Sequence, residues 1–164
     1  MYNKTRKIVM TSMLAALVCV ATMIIKIQLT PNGYINLGDG IVIISGYVLG
    51  PLYGFFAAGI GSMLADLFSG FVLYMPATFV VKGFMAALSY VMIKWLSSFM
   101  NKTVAVIISA VFAEAVMIIG YYIFEGFIYG FQAALLSMPG NAIQSVAGIV
   151  TGTLLVKMYQ RHRY

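Results

Sequence analysis

The chain has 164 residues, of which 62% are hydrophobic and only 9% are charged, and its mean hydropathy is +0.98. Because soluble domains carry charge on about a quarter of their residues, this composition excludes a globular protein with a solvated surface. The net charge of +6 raises nucleic-acid binding as an alternative, but most of the lysine and arginine residues lie at the ends of apolar runs. An integral membrane protein is therefore predicted.

The first apolar run follows Lys4, Arg6 and Lys7, as the apolar region of a signal peptide does. It ends near Ile25 without a small-x-small cleavage site, so we expect a helix that is retained. The single cysteine, Cys19, lies within this run and cannot form an internal disulfide.

Six apolar runs predict an all-α bundle of six transmembrane helices that forms one domain over residues 1–164. The predicted helices cover residues 8–25, 40–49, 51–69, 76–98, 103–124 and 138–158. A spanning helix needs about 20 residues, and the second run is shorter. One long tilted helix over residues 40–69 is the alternative, but Gly50-Pro51 favours a break, because proline interrupts the helical hydrogen bonds.

The lysine and arginine residues decide between six helices and five. With six helices and a cytoplasmic N-terminus, eight of the ten lie inside: Lys4, Arg6, Lys7, Lys94, Lys102, Lys157, Arg161 and Arg163. Five helices would place the last five of these outside, against the positive-inside rule. Both termini are thus predicted to be cytoplasmic, with a second helix that is either short and sheltered by its neighbours or begins within the connection before it.

Three longer connections are predicted on the outer side, at residues 26–39, 70–75 and 125–137. Residues 34–39, in the first of them, are predicted to form a short strand or a lid. The inner connections are tight turns, so the outer side is the expected binding surface.

Three charged residues lie within the apolar segments: Asp66, Lys82 and Glu114. Such residues are costly in lipid, face the bundle interior and mark functional sites. Asp66 and Lys82 are predicted to be neighbours, either as an ion pair that fixes two helices or as ligand contacts. Glu114 is expected to bind ligand, to carry protons, or to hydrogen-bond a neighbouring helix.

Polar and aromatic side chains are predicted at matching depth around these charges. Tyr121 lies on the same helix face as Glu114, and Asn141, Gln144 and Ser145 come near the outer start of the last helix. Charges of both signs, amides and aromatic rings suit a small polar heteroaromatic ligand.

Small residues recur on one side of the first helix. Thr11, Ala15 and Cys19 follow one another at intervals of four, and Ser12 and Ala16 lie beside them. Such a surface allows close helix packing, either within the chain or against another subunit.

The sequence has no Gly-rich ATP-binding loop, no His/Cys metal-ligand cluster and no recognisable catalytic triad. We therefore predict no enzyme activity, no cofactor and no metal. Two alternatives stay open: a small membrane enzyme that uses Asp66, Lys82 and Glu114, and a proton-coupled carrier that acts alone with Glu114 as its relay.

Four segments resemble the substrate-binding S components of energy-coupling factor (ECF) vitamin transporters. They are residues 33–39 (GYINLGD), 49–54 (LGPLYG), 59–67 (GIGSMLADL) and 74–83 (YMPATFVVKG). Order and spacing are similar over about residues 8–87, whereas the second half is similar only in hydropathy and length.

The resemblance implies a subunit of the prokaryotic plasma membrane that binds a vitamin or precursor from outside. It also implies assembly with a transmembrane coupling subunit and two ATPases. The implied contacts with the coupling subunit are Ser12, Ala15, Ala16 and Cys19, and residues 34–39 would gate the pocket. The candidate ligand-binding residues are Asn36, Asp39, Asp66, Tyr74, Lys82, Glu114, Tyr121, Asn141 and Gln144.

Within that family the chain resembles the S components linked to riboflavin, or to hydroxymethylpyrimidine and pyridoxine. The compact site with Lys82, Asp66 and Glu114 favours a single-ring substrate, with riboflavin second.

Overall fold

The computed structural model of the protein describes residues 4–24, 26–30 and 33–162. Its elements are α1 (Lys4–Ile24), β1 (Lys26–Thr30), β2 (Gly33–Asn36), α2 (Asp39–Leu49), α3 (Pro51–Ser69), a 3-10 turn (Val72–Tyr74), α4 (Met75–Leu96), α5 (Lys102–Tyr129), α6 (Phe131–Ala134) and α7 (Met138–His162). The predicted helices are all present, with ends that differ by a few residues. Ile25, the predicted end of the first helix, and Arg163 lie outside the described residues.

The helices run alternately up and down, which gives the bundle two distinct ends. The hairpin end carries β1, β2 and α6, and the side chain of Lys26 donates a hydrogen bond to Ser69 there at 3.0 Å. The turn end carries Gly50-Pro51 and the turn at residues 97–101. Gly50 has φ +84°, a left-handed conformation that favours glycine, and Pro51 begins α3, so the predicted break is confirmed.

Strands β1 and β2 form an antiparallel hairpin in which Lys26 pairs with Asn36 and Ile27 with Ile35. The short strand predicted in the first long connection is thus confirmed. A role of this segment as a lid stays a prediction.

The short helix α2 lies at the centre of the bundle, against α1, α3, α4 and α7. Its 11 residues span roughly 16 Å, and each of them is buried or half-buried. Close packing depends on glycine: a Cβ on Gly54 would lie 2.7 Å from Gly46 Cα, and one on Gly46 would lie 2.7 Å from the carbonyl carbon of Ala86. The predicted sheltering of the second helix is confirmed.

Among the residues that the structure describes, five segments are long and apolar enough to cross a membrane: Lys4–Ile24, Pro51–Ser69, Val72–Leu96, Lys102–Tyr129 and Met138–His162. Their outward faces carry large exposed hydrophobic side chains, among them Met13, Phe84, Phe112 and Val146. Such a surface suits lipid rather than water. Because α2 is too short for this class, the number of membrane crossings and the side of each terminus stay predictions.

Candidate functional site

A chain of buried polar contacts joins four elements at the hairpin end. The ammonium of Lys82 on α4 forms a salt bridge with Oδ1 of Asp39, the first residue of α2. Nε2 of Gln144 on α7 donates to Oδ2 of the same aspartate at 2.6 Å. The main-chain N–H of Asn36, at the end of β2, donates to Oε1 of Gln144 at 3.0 Å. Both carboxylate oxygens of Asp39 are therefore engaged, and the hairpin is tied to α7.

The predicted partner of Lys82 was wrong. We expected Asp66, but the ion pair of Lys82 is with Asp39. The sequence pattern predicts Asp39 in the connection before the second helix, whereas α2 begins at Asp39, whose side chain is buried with 1% exposure. Asp66 is also buried, on the last turn of α3, where its main-chain carbonyl accepts from Phe71 N at 2.9 Å.

Glu114 on α5 lies beside this network with 1% exposure. Asp39 and Lys82 are close enough to act on it electrostatically. Within the described part of the chain, neither carboxylate oxygen of Glu114 has a hydrogen-bond partner. The hydroxyl of Ser145 is close enough to act on the same carboxyl group, while its well-formed hydrogen bond is the one that it donates to the carbonyl of Asn141 at 2.8 Å.

Gly148 on α7 makes room for the two carboxylates. A Cβ at this position would lie 2.9 Å from Asp39 Cβ and 2.9 Å from Glu114 Cδ. Since real Cβ atoms do not approach so closely, a side chain here would displace one carboxylate or the other. Helices α2, α5 and α7 thus meet at a point that only glycine allows.

A second polar group lies on the same side of α5, nearer the hairpin end. Tyr121 shares a hydrogen bond of 2.9 Å with Thr78, and its ring centre lies 5.7 Å from Lys82 Nζ. Tyr74 donates to Oε1 of Glu125 at 3.1 Å and lies 6.4 Å from Tyr121 between ring centres. Aromatic rings and carboxylates therefore continue from the central network toward the end of the bundle.

Most of the predicted pocket residues come together in these two groups. Asn36, Asp39, Lys82 and Gln144 are linked directly, with Glu114 next to them. Tyr74 and Tyr121 belong to the second group. Asn141 lies about one turn before Gln144 and is half-buried. Its main-chain carbonyl accepts a hydrogen bond from the hydroxyl of Ser145.

Three residues of the site were missing from the predicted set: Thr78, Glu125 and Gly148. Each lies four positions from a residue in that set, at Lys82, Tyr121 and Gln144 respectively. Because residues four apart share a helix face, this spacing was an available signal for all three.

The family is established by comparison with known proteins. The model of the family described as "ECF-type riboflavin transporter, S component" matches residues 2–161. The chain belongs to this family. It is thus a membrane protein of a transporter-subunit class that binds a small-molecule vitamin and works with ECF components, as predicted from its first half.

One relative of this S component and one solved structure add to the comparison. The chain is 32% identical to an uncharacterized protein from the gap 3′ region of Pyrococcus woesei over 136 residues, which cover 82% of this chain and 88% of that protein. A structure described as "Structure and mechanism of the S component of a bacterial ECF transporter" matches with a TM-score of 0.70 and 20% identity. That match covers 98% of both chains, and at this identity it establishes the fold.

The small residues on α1 of this S component do not all face the same way. Ala15 and Cys19 are buried, and a Cβ on Gly61 of α3 would collide with the main-chain carbonyl of Ala15. Ser12 and Ala16 are exposed. Ala15 and Cys19 thus pack within the chain, whereas Ser12 and Ala16 are exposed, and the contact with a coupling subunit stays a prediction.

Proposed function

We propose that this S component is the substrate-binding subunit of an ECF-type importer in a prokaryotic plasma membrane. It takes up a small water-soluble vitamin or precursor from outside, through the hairpin end of the bundle. Six membrane crossings with both termini in the cytoplasm are part of the proposal, supported by the lysine and arginine residues at the turn end. The proposed partners are a transmembrane coupling subunit and two ATPases.

The observation that carries the proposal is the environment of Glu114. A buried carboxylate without donors is unfavourable, because burial removes the water that would solvate it. Asp39, in contrast, has a donor for each of its oxygens. A ligand that brings two hydrogen-bond donors to Glu114 would satisfy its carboxyl oxygens, and the rings of Tyr121 and Tyr74 continue from the polar network toward the hairpin end.

This chemistry favours a single-ring nitrogen heterocycle. In hydroxymethylpyrimidine, the exocyclic amine and a protonated ring nitrogen form two parallel donors that match one carboxylate. Pyridoxine offers ring and hydroxyl donors of similar size. Riboflavin is the second candidate, because the family description names it and its ring system can stack on tyrosine.

Direct measurement of retained ligand tests the proposal. The protein is purified in detergent, denatured, and the released small molecules are identified by mass spectrometry. Protein stripped of ligand is then titrated with hydroxymethylpyrimidine, pyridoxine and riboflavin. Saturable binding of a single-ring compound is expected. Tight binding of riboflavin alone would reverse the preference, and binding of no vitamin would contradict the proposed function.

A pair of glutamates on α5 tests the role of Glu114. Glu114→Gln replaces one acceptor by a donor, so affinity should fall by about 10- to 100-fold, the value of one or two lost charge-assisted hydrogen bonds. Glu125→Gln is the comparison variant: Glu125 is also buried on the same helix, but its Oε1 already accepts a hydrogen bond from Tyr74, so affinity should fall by less than in Glu114→Gln. Equal loss in both variants would indicate a general effect on folding.

Reconstitution separates the proposal from a carrier that acts alone. In proteoliposomes without ATPases, the protein should bind ligand without accumulating it, even with an imposed proton gradient. Accumulation that depends on the gradient and on Glu114 would establish the carrier instead.

A further inference from the structure

The ionisable side chains buried in the bundle are unequal in sign. All four Asp and Glu residues of the sequence are buried, with 5% exposure or less: Asp39, Asp66, Glu114 and Glu125. Among the Lys and Arg residues that the structure describes, only Lys82 is buried. The described interior thus holds four carboxyl groups and one ammonium group.

The single buried ammonium is already neutralised. Lys82 forms its salt bridge with Oδ1 of Asp39. Oδ2 of the same aspartate accepts a hydrogen bond from Nε2 of Gln144 at 2.6 Å, so α7 holds the carboxylate in place. The Lys82 ammonium also lies 5.7 Å from the ring centre of Tyr121, a neutral ring with an affinity for cations. A negatively charged group that entered the site would therefore have to displace Asp39 from Lys82.

The groups around this ion pair do not offer a second place for an anion. Glu114 repels an anion when it is ionised and supplies no positive charge when it is protonated. The hydroxyl of Tyr74 is donated to Oε1 of Glu125 at 3.1 Å. A phosphate monoester carries a charge of about −1.5 to −2 at neutral pH, and burial of such a group without donors is costly. The described part of the site is therefore suited to neutral or positively charged ligands.

We propose that Asp39 sets the charge selectivity of the vitamin site. By neutralising Lys82, it restricts the site to neutral or cationic rings and excludes the phosphate esters of the same compounds. This inference rests on the proposed function and specifies the form of its substrate, a ring whose hydroxyl groups are unphosphorylated. Such a ring can donate hydrogen bonds to Glu114 without requiring a cation from the protein.

Three pairs of compounds test the selectivity of the unmodified protein: hydroxymethylpyrimidine, pyridoxine and riboflavin, each with its phosphate monoester. Ligand-free protein in detergent is titrated calorimetrically with both members of each pair at neutral pH. For the vitamin that binds, we expect the ester to bind at least about 100-fold more weakly, because its charge meets carboxyl groups and a neutralised lysine. Affinities within about threefold, or tighter binding of the ester, would overturn the inference and leave the proposed function standing. Binding of neither form of any pair would contradict both.

A charge-matched pair of variants tests the role of Asp39. Asp39→Asn removes the carboxylate that neutralises Lys82, so the preference for the unphosphorylated form should fall from about 100-fold to about tenfold. Leu136→Lys is the control, since it adds the same one unit of positive charge on an exposed side chain at the hairpin end. Its preference should stay within about threefold of that of the unmodified protein. An equal fall in both variants, or no fall in Asp39→Asn, would overturn the proposal.

A second variant covers the case in which Asp39→Asn does not fold. Lys82→Met/Asp39→Leu removes both members of the ion pair, so neither charge is left without its partner. Because this protein has no cation in the site, it should keep the full preference for the unphosphorylated form. A preference below about tenfold would show that the exclusion of the ester does not depend on the neutralised lysine, and would overturn the proposal.

Discussion

The two ends of the bundle treat charge in opposite ways. At the hairpin end, Asp39, Lys82 and Glu114 are buried among polar partners from several elements. At the turn end, the core is apolar, built on Ile43, Ile93, Val106, Ala110 and Val156, and the cations stay on the surface. Burial of charge is expensive in lipid, so its confinement to one end identifies that end as the site of a specific task.

Helix α2 connects the two regions. Its first residue, Asp39, supplies a carboxylate to the polar network, and Ile43, one turn later, belongs to the apolar core. This helix of 11 residues packs against four others and so contributes to both regions. The contrast between the two ends can be tested by comparing matched pairs of substitutions.

The largest expected difference is in the side of the membrane that each end faces. In a Cys19→Ser background, Ser98→Cys marks the turn end and Leu136→Cys marks the hairpin end, and both positions are exposed. A membrane-impermeant thiol reagent added to intact cells should label Leu136→Cys only. Labelling of both cysteines from outside would contradict the proposed topology.

The next effect concerns the ion pair. Lys82→Met should destabilise the protein by about 3–5 kcal/mol, because Asp39 is left as an uncompensated buried charge. The double variant Lys82→Met/Asp39→Leu should recover most of this loss, as measured by thermal unfolding in detergent.

Asp66 provides the control for this comparison of single and double variants. Lys82→Met/Asp66→Leu should show additive losses, since Asp66 is not the salt-bridge partner of Lys82. If Asp66→Leu, and not Asp39→Leu, recovered the stability lost in Lys82→Met, the result would support the Lys82–Asp66 pair predicted from the sequence.

Two glycines one turn apart on α7 sharpen the comparison further. Gly148→Ala places a Cβ against Asp39 and Glu114, and Gly152→Ala places one 2.8 Å from Cδ1 of Ile43. Each should cost about 1–3 kcal/mol through overpacking. Only Gly148→Ala should also weaken vitamin binding, measured by calorimetric titration, and an equal effect of both on affinity would place the site elsewhere.

The smallest effect on stability is expected on α1. Ala16→Leu lies on an exposed face and should change stability by less than about 0.5 kcal/mol, yet block co-purification with the coupling subunit. Ala15→Leu should lower stability, because Ala15 packs against α3. Normal assembly of the Ala16→Leu protein would exclude this part of α1 from the subunit interface.

Much of the helix framework followed from local properties of the chain. Apolar runs placed the helices to within a few residues, since hydropathy and length act along the sequence. Gly50-Pro51 predicted the break before α3 for an equally local reason: proline has no N–H to continue a helix, and glycine tolerates a positive φ. The candidate pocket was also largely predictable, because charged residues in apolar helices are rare.

By itself, then, the sequence determined where the helices lie, that α2 is short, and which charged side chains must be sheltered. Only the tertiary structure decided that Lys82 pairs with Asp39, that Glu114 lacks a partner among the described residues, and that Ala15 turns inward while Ala16 stays exposed. Helical periodicity defines which residues share a face, but the rotation of each helix against its neighbours depends on side chains far apart in sequence. Gly148 illustrates the reason: its missing Cβ matters only because α2 and α5 bring two carboxylates to the same point.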